Sequence, residues 1–501
     1  LIKLQFGDDP QSSGAGYMNF QIQRLSPGNN FFWIICAFLL KGTLILLFIE
    51  NIAQGFEQIS FGRTGYGFGS GDTPSYFDPI ENFLKDGSYH PDYRMPGYGI
   101  IYLMLRSIVV EDQALKLIIL IQLTIAALSI YSLSKLLYLV TAKNIVFYLT
   151  FFLFGLSLKT TFWDFAYLAE SFAVSFLIFS SHAFILFWRS EKKKWLLLSG
   201  LFLTWVIFLK PVYLPVLFIF VAALLFFCFR IRKTTLKSMT LKVFVFAAPF
   251  ILFDGLWIIR NYQRYDRLIP LTKTTYYPGY EESYLGPLMD FVIAFGGDRS
   301  WWNPKGELRW FISNPADGGG TPVPEEVYTS SFNGDSLVSV RKDIAIILNP
   351  GTSQQVMNEL SSSVRARLNT YTESIRTEKP HIYYLTGRLK MVRKFLLHSG
   401  TDFLPFIPFR QMDLKQKFLK VLNGTLYVFS IAFGFLGIVY VILKKQAAMF
   451  AMALTGLYST LIYPVLGQLE PRYYLPAYPF MLGCAIYFCS VYPWKARNYF
   501  D

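Results

Sequence analysis

Charged, thiol and imidazole side chains are all scarce in this chain. Only 16% of its 501 residues are Asp, Glu, Lys or Arg, against 53% hydrophobic and 18% aromatic. The mean hydropathy is +0.36. A soluble domain usually carries about 25% charged residues to wet its surface, so this composition excludes that class and points to a polytopic membrane protein. Acids are the scarcer sign, 33 against 47 Lys and Arg, giving a formal charge of +14. In a membrane protein such an excess reflects cytoplasmic Lys and Arg and anionic partners such as lipid phosphate, which leaves nucleic acid a poor second reading. The four cysteines, Cys36, Cys228, Cys484 and Cys489, all fall in apolar segments. They offer neither a disulfide framework nor a zinc site. The four histidines, His90, His182, His381 and His398, show no metal-ligand spacing. Residues 1–30 are polar and glycine-rich, with no basic start leading into a short apolar core, so no cleaved signal peptide is visible.

What is abundant is long apolar runs. Segments able to cross a bilayer lie near 31–49, 115–138, 143–158, 167–189, 195–209, 211–231, 242–260, 419–443, 446–465 and 474–491. The expected fold is therefore an all-α polytopic membrane protein with a bundle of about ten transmembrane helices. A further apolar run, 96–110, would make eleven. The basic clusters decide: Lys135 with Lys143, "EKKK" at 191–194, "RIRK" at 230–233, Lys444 with Lys445, and Lys495 with Arg497. Ten spans and a cytoplasmic N-terminus put every cluster inside, whereas an eleventh would turn them all outward. Segment 96–110 is thus expected to lie along the outer face.

This parity divides the chain into a cytoplasmic segment 1–30, a transmembrane module 31–260 with a first external loop 50–114, an external region 261–418, and C-terminal helices with a short tail over 419–501. The external region reads as a compact, mixed or mainly helical soluble unit. It holds a turn-rich piece at 314–324 and helical pieces at 354–376 and 384–398. The last sets Leu385, Leu389, Val392 and Leu396 among Arg388, Lys390, Arg393 and Lys394, the pattern of a basic helix at a membrane surface.

Four places on the expected outer side gather unusual polar residues. The first external loop carries Asp72, Tyr76, Asp78 and Arg94; the mouth of a span carries Asp164 and Glu170. Lys210 stands at a span corner, Arg260, Asn261 and Tyr262 end another span, and Glu470, Arg472 and Tyr473 open the last. Ionisable groups at membrane mouths cost free energy and suggest function, although a single Arg or Lys at a span end is also explained by snorkelling. Lys41 and Asp254 lie inside predicted spans and are candidates for an intramembrane pair.

The ordered motifs G-D-T-x-x-Y from 71, R-x-P-G-Y from 94, K-P at 210, W-x-x-R-N-Y from 257 and E-x-R-Y-x-x-P-x-x-P from 470 make a recognisable pattern. The chain resembles the bacterial GT-C glycosyltransferases, nearest the branch of protein mannosyltransferases and lipid A aminoarabinose transferases. The resemblance runs from about residue 30 to 490 and is thinnest through 290–380. It implies transfer of a sugar, on the periplasmic face, from a polyprenyl-phosphate donor such as an undecaprenyl-phosphate sugar to a lipid, glycan or protein acceptor. The family's base, an acid of the first external loop, matches Asp72. Elementary chemistry agrees, because a hydroxyl nucleophile loses its proton as it attacks the anomeric carbon and a positioned carboxylate can accept it. The leaving group is already a phosphate, so cations matter more than an acid, and Arg260, Arg472, Lys210 and Arg94 are the candidates. One-step displacement would invert the anomeric configuration. Tyr76, Asp164, Glu170, Asn261, Tyr262, Glu470 and Tyr473 are the candidates for positioning substrate or acceptor.

Each assignment has a rival. Asp72 before Thr73 and Pro74 also reads as a helix N-cap. Asp164 and Glu170 match the place where oligosaccharyltransferase relatives carry metal ligands, but their spacing is not a D-x-D or D-x-E pair, so no metal or other cofactor is expected. A lipid transporter or flippase is the alternative class, yet it would gather ionisable groups at the midplane within repeats, and no repeat is apparent. An inactive scaffold subunit is the other; it could dispense with Asp72, which is present. The Phe-, Ile- and Lys-rich composition favours a bacterial inner membrane.

Overall fold

The computed structural model describes residues 27, 29–59, 66–91, 94–231, 234–272, 283–301, 303–313, 319–401 and 408–492. Most of segment 1–30, the core of the turn-rich piece at 314–324 and the basic pair Lys495 and Arg497 lie outside the described residues. Among the described residues every extended element is a helix, with only isolated bridges such as Phe68 to Ala166. The protein is an all-α polytopic membrane protein.

The helices are α1 Asn30–Ile59, α2 Pro74–Asp86, α3 Gly97–Arg106, α4 Glu111–Thr141, α5 Asn144–Gly155, α6 Leu158–Trp163, α7 Glu170–Ser190, α8 Lys193–Leu209 and α9 Leu214–Phe226. Then follow α10 Leu236–Tyr265, α11 Leu285–Ala294, α12 Glu307–Ile312, α13 Gly334–Ile347, α14 Gln354–Glu378, α15 Gly387–Thr401, α16 Leu414–Leu443, α17 Ala447–Val465 and α18 Tyr478–Val491. Among the described residues seven segments are long and apolar enough to cross a bilayer: those of α1, α4, α7, α9, α10, α16 and α17. The expected spans at 143–158, 195–209 and 474–491 appear as the shorter α5, α8 and α18. Helix α18 can be short because it sits inside the bundle, with all residues from Tyr478 to Phe488 buried. The run 96–110 forms the ten-residue α3, only about 15 Å long and so unable to span a core of about 30 Å.

Two close approaches shape the bundle. Helices α16 and α18 pack face to face because Gly437 has no side chain; a Cβ there would lie 2.2 Å from the Cys484 carbonyl oxygen. Likewise Gly97 lets the start of α3 press on the end of α8, where a Cβ would meet the Phe208 carbonyl at 2.6 Å. That contact sets the backbone from which Lys210 projects.

Helices α11 to α14 build a separate apolar core around Leu288, Phe291, Phe332, Val340, Leu368 and Ile375. This gives the expected external unit its own interior. Helix α15 departs from the amphipathic pattern in part. Leu389, and Leu385 in the turn before the helix, are exposed, whereas Leu396 packs against the main bundle core in which Met391 and Phe395 are buried. The buried face is set by docking onto α16, α17 and the Pro471–Tyr474 turn. Lys394 bonds Glu307 at 2.7 Å and the Arg388 guanidinium donates to the Val465 carbonyl, so α15 ties the external unit to the bundle.

Candidate active site

The loop before α2 is stitched to the segment before α7. Phe68 donates its N–H to the Phe165 carbonyl and accepts from Tyr167, both at 3.0 Å. The Thr73 hydroxyl accepts from Ser70 N–H at 2.8 Å and donates to the Tyr167 carbonyl at 3.2 Å. Asp72 is thereby held beside the start of α7. Pro74 opens α2 where its missing N–H costs nothing. Asp72 is not the cap: Thr73 occupies that position and makes no side-chain cap bond.

The Asp72 carboxylate instead binds two arginines from distant parts of the chain. Arg94 meets one oxygen and Arg472 the other, each at 2.7 Å. Arg94 also donates to the Ser75 hydroxyl and lies 4.6 Å above the Tyr76 ring. Arg472 is buried, pairs with Glu470 at 2.5 Å and reaches Glu170 at 3.7 Å. Lys210 binds the same Glu170 at 2.8 Å and lies over the Tyr473 ring at 5.1 Å. Three carboxylates, Asp72, Glu170 and Glu470, thus face the three cations Arg94, Lys210 and Arg472. Glu170 Oε2 is buried and has no hydrogen-bond partner among the described residues.

Burial opposes ionisation of Asp72, but the guanidiniums of Arg472 and Arg94 outweigh it, with Lys210 adding, and hold the carboxyl down at about 2. Burial pushes the Tyr76 phenol up, against the pull of Arg94, so it stays neutral. Asp72 is therefore an anion held between two guanidinium groups.

The other candidates have partners outside this cluster. Asp164 is engaged by Lys41 at 2.5 Å and by the Ser171 hydroxyl at 2.6 Å. The expected Lys41–Asp254 pair is therefore not the one formed; Asp254 instead accepts the Leu271 N–H. Arg260 donates to the Tyr89 carbonyl at 2.6 Å and to Asn261, and lies 4.9 Å over Trp257. Asn261 donates in turn to the Ile269 carbonyl, and Tyr262 is exposed. Trp257 also lines an apolar groove of about 350 Å³ with Ile80, Phe83, Ile100, Phe208 and Leu256. That groove lies between the surface helices and the outward faces of α8 and α10.

Sequence reasoning missed Lys159, Tyr463 and Ser75. Lys159 is buried on α6 between the rings of Tyr427 and Tyr474, at 4.5 and 4.8 Å, and so braces the turn that carries Arg472. A lysine within an apolar stretch five residues before Asp164 was the available signal. Tyr463 stacks flat on Tyr473 at 4.4 Å, a contact between distant segments that spacing does not reveal.

No family model and no curated protein matches the chain. Among solved structures it is similar to the archaeal oligosaccharyltransferase AglB from Archaeoglobus fulgidus in complex with an inhibitory peptide and a dolichol-phosphate. That similarity has 14% identity, a TM-score of 0.45, and covers 92% of this chain and 50% of that one. The apo form of the Archaeoglobus fulgidus oligosaccharyltransferase gives 13% and 0.47 over the same shares. The chain spans about half the length of these proteins.

Proposed function

We propose that the protein is a GT-C-type glycosyltransferase that moves a sugar from a polyprenyl-phosphate donor to an acceptor at the outer, periplasmic face of a bacterial inner membrane. The observation that carries this reading is the joining of Asp72, Arg94, Glu170, Lys210 and Arg472 at one end of the bundle, from the segments whose motifs resemble that superfamily.

In this reading the acceptor oxygen bonds to the anomeric carbon as the carbon–oxygen bond to phosphate breaks. The bonding pair leaves on the phosphate and the acceptor proton passes to Asp72. Attack from the face opposite the phosphate inverts the anomeric centre. Arg94, Lys210 and Arg472 stabilise the charge that grows on the departing phosphate. Glu170, enclosed beneath the cluster, positions Lys210 and Arg472 for the substrate. The isoprenoid chain lies in the apolar groove, with Arg260 above Trp257 at its rim supplying positive charge.

The acids do not suit a metal. A hard cation needs several oxygen ligands, whereas Asp164 is spent on Lys41 and Ser171, and Glu170 on Lys210. The test is purified protein in nanodiscs, given a mixed polyprenyl-phosphate-sugar pool and cell-envelope extract. Release of polyprenyl phosphate with sugar on an acceptor, undiminished by chelator, is expected. Absence of transfer from every donor would overturn the assignment, and loss with chelator would overturn the metal-free mechanism.

A further inference from the structure

The cations expected to hold the donor phosphate each have an acid partner within the protein. Arg94 and Arg472 each take one oxygen of Asp72, and Lys210 takes Glu170. Acids and cations in the cluster balance, so an added phosphate competes with the carboxylates for the same cations. Some carboxylate must give up its partner. Glu170 is enclosed at 2% side-chain exposure, whereas Asp72 is 34% exposed on a loop. The exchange is therefore easiest at Asp72.

We propose that Arg94 and Arg472 are exchangeable counter-ions, which neutralise Asp72 while the site is empty and pass to the donor phosphate when it binds, freeing Asp72 to act as base. This rests on the donor reading above and adds an order of events: donor first, then a competent base. A guanidinium fork suits carboxylate and phosphate equally well, so the exchange keeps its geometry.

The reaction reinforces it. The donor linkage is a phosphodiester with one negative charge. As the bond to the anomeric carbon breaks, the phosphate gains a second charge while Asp72, taking the acceptor proton, loses its own. The arginines therefore move with the charge, and their attraction to phosphate grows toward the transition state. The groups facing Asp72 are Arg94, Tyr76 on α2, Glu170 on α7, Lys210 after α8, and Glu470, Arg472 and Tyr473 before α18. Glu170 and Glu470 stay paired with Lys210 and Arg472, and the two tyrosines stay neutral, which leaves Asp72 as the group that switches. Before donor binds, the catalytic base is thus silenced.

The distinguishing experiment is binding rather than turnover. Affinity for undecaprenyl phosphate, with undecaprenol as the phosphate-free control, is measured in nanodiscs for wild type, Asp72→Asn and Arg94→Gln. Removing the internal competitor should tighten phosphate-lipid binding by Asp72→Asn about three- to tenfold, the scale of one partly exposed ion pair. Arg94→Gln should weaken it, and undecaprenol should bind all three alike. Equal or weaker phosphate-lipid binding by Asp72→Asn would overturn the exchange while leaving the donor reading intact. If wild type and Asp72→Asn both fail to prefer the phosphate lipid over undecaprenol, the donor reading falls and the exchange with it.

Discussion

With both oxygens of Asp72 held by guanidinium groups, any acid limb that Asp72 gives the proposed reaction before donor binds is expected far below neutral pH. The folded carboxyl, at about 2, sits below the ordinary Asp value of about 3.9. Its contribution to stability is therefore present above about pH 4 and fades as pH falls toward 2. The profile of kcat/KM, which reports the free enzyme, should show no acid limb from Asp72 between pH 5 and 8. The profile of kcat, which reports the donor complex, should show one at higher pH once the arginines have moved. Coincident limbs in the two profiles would argue against the exchange. A second residue carries a structural prediction. Lys41 neutralises the buried Asp164, so Lys41→Met should destabilise the protein by about 3–5 kcal/mol, read as a lower thermal midpoint in detergent. An unchanged midpoint would mean that Asp164 finds another partner. At this scale the sequence named the polar residues of the site but not their partners. Lys41 and Asp254 both stand in predicted spans, and nothing local told that Lys41 would reach across to Asp164. Ion pairs between residues hundreds of positions apart, such as Asp72 with Arg472, are set by packing alone.

Elements position this chemistry through close backbone contacts and docked helices. Gly97→Ala would push the start of α3 away from the Phe208 carbonyl and move Lys210 with the end of α8. The expected outcome is a raised KM for donor with modest loss of stability, of the order of 1–3 kcal/mol for overpacking. Steady-state kinetics beside thermal unfolding separates this from general misfolding. Helix existence was legible from apolar runs, and so was the failure of 96–110 to span, which follows from the shortness of α3. The orientation of α15 was not legible. Its apolar positions allow two faces, and the choice of Met391 and Phe395 over Leu385 and Leu389 was made by the turn it buttresses. The glycine contacts were equally hidden, since a glycine in an apolar run announces neither its neighbour nor its purpose.

For the whole molecule, the account places Asp72, Glu170, Lys210 and Arg472 at one end of the bundle and on the side opposite the basic clusters at 191–194 and 444–445. In a background with the four cysteines replaced by serine, Asp86→Cys should react with an impermeant thiol reagent from the periplasm and Lys193→Cys only after the inner membrane is opened. The reverse pattern would invert the topology. The expected sidedness rests on charge parity, because one extra span would turn every basic cluster outward. The piece at 354–376 was legible as a helix and forms α14, whereas α11 and α12, at ten and six residues, are too short to show a period. The central claim is that Asp72 takes the acceptor proton during sugar transfer. Its most direct test is single-turnover transfer at saturating donor, comparing wild type with Asp72→Asn. The account predicts a fall of about 100- to 10,000-fold with donor still bound; transfer at the wild-type rate would return Asp72 to the role of a structural ion-pair partner.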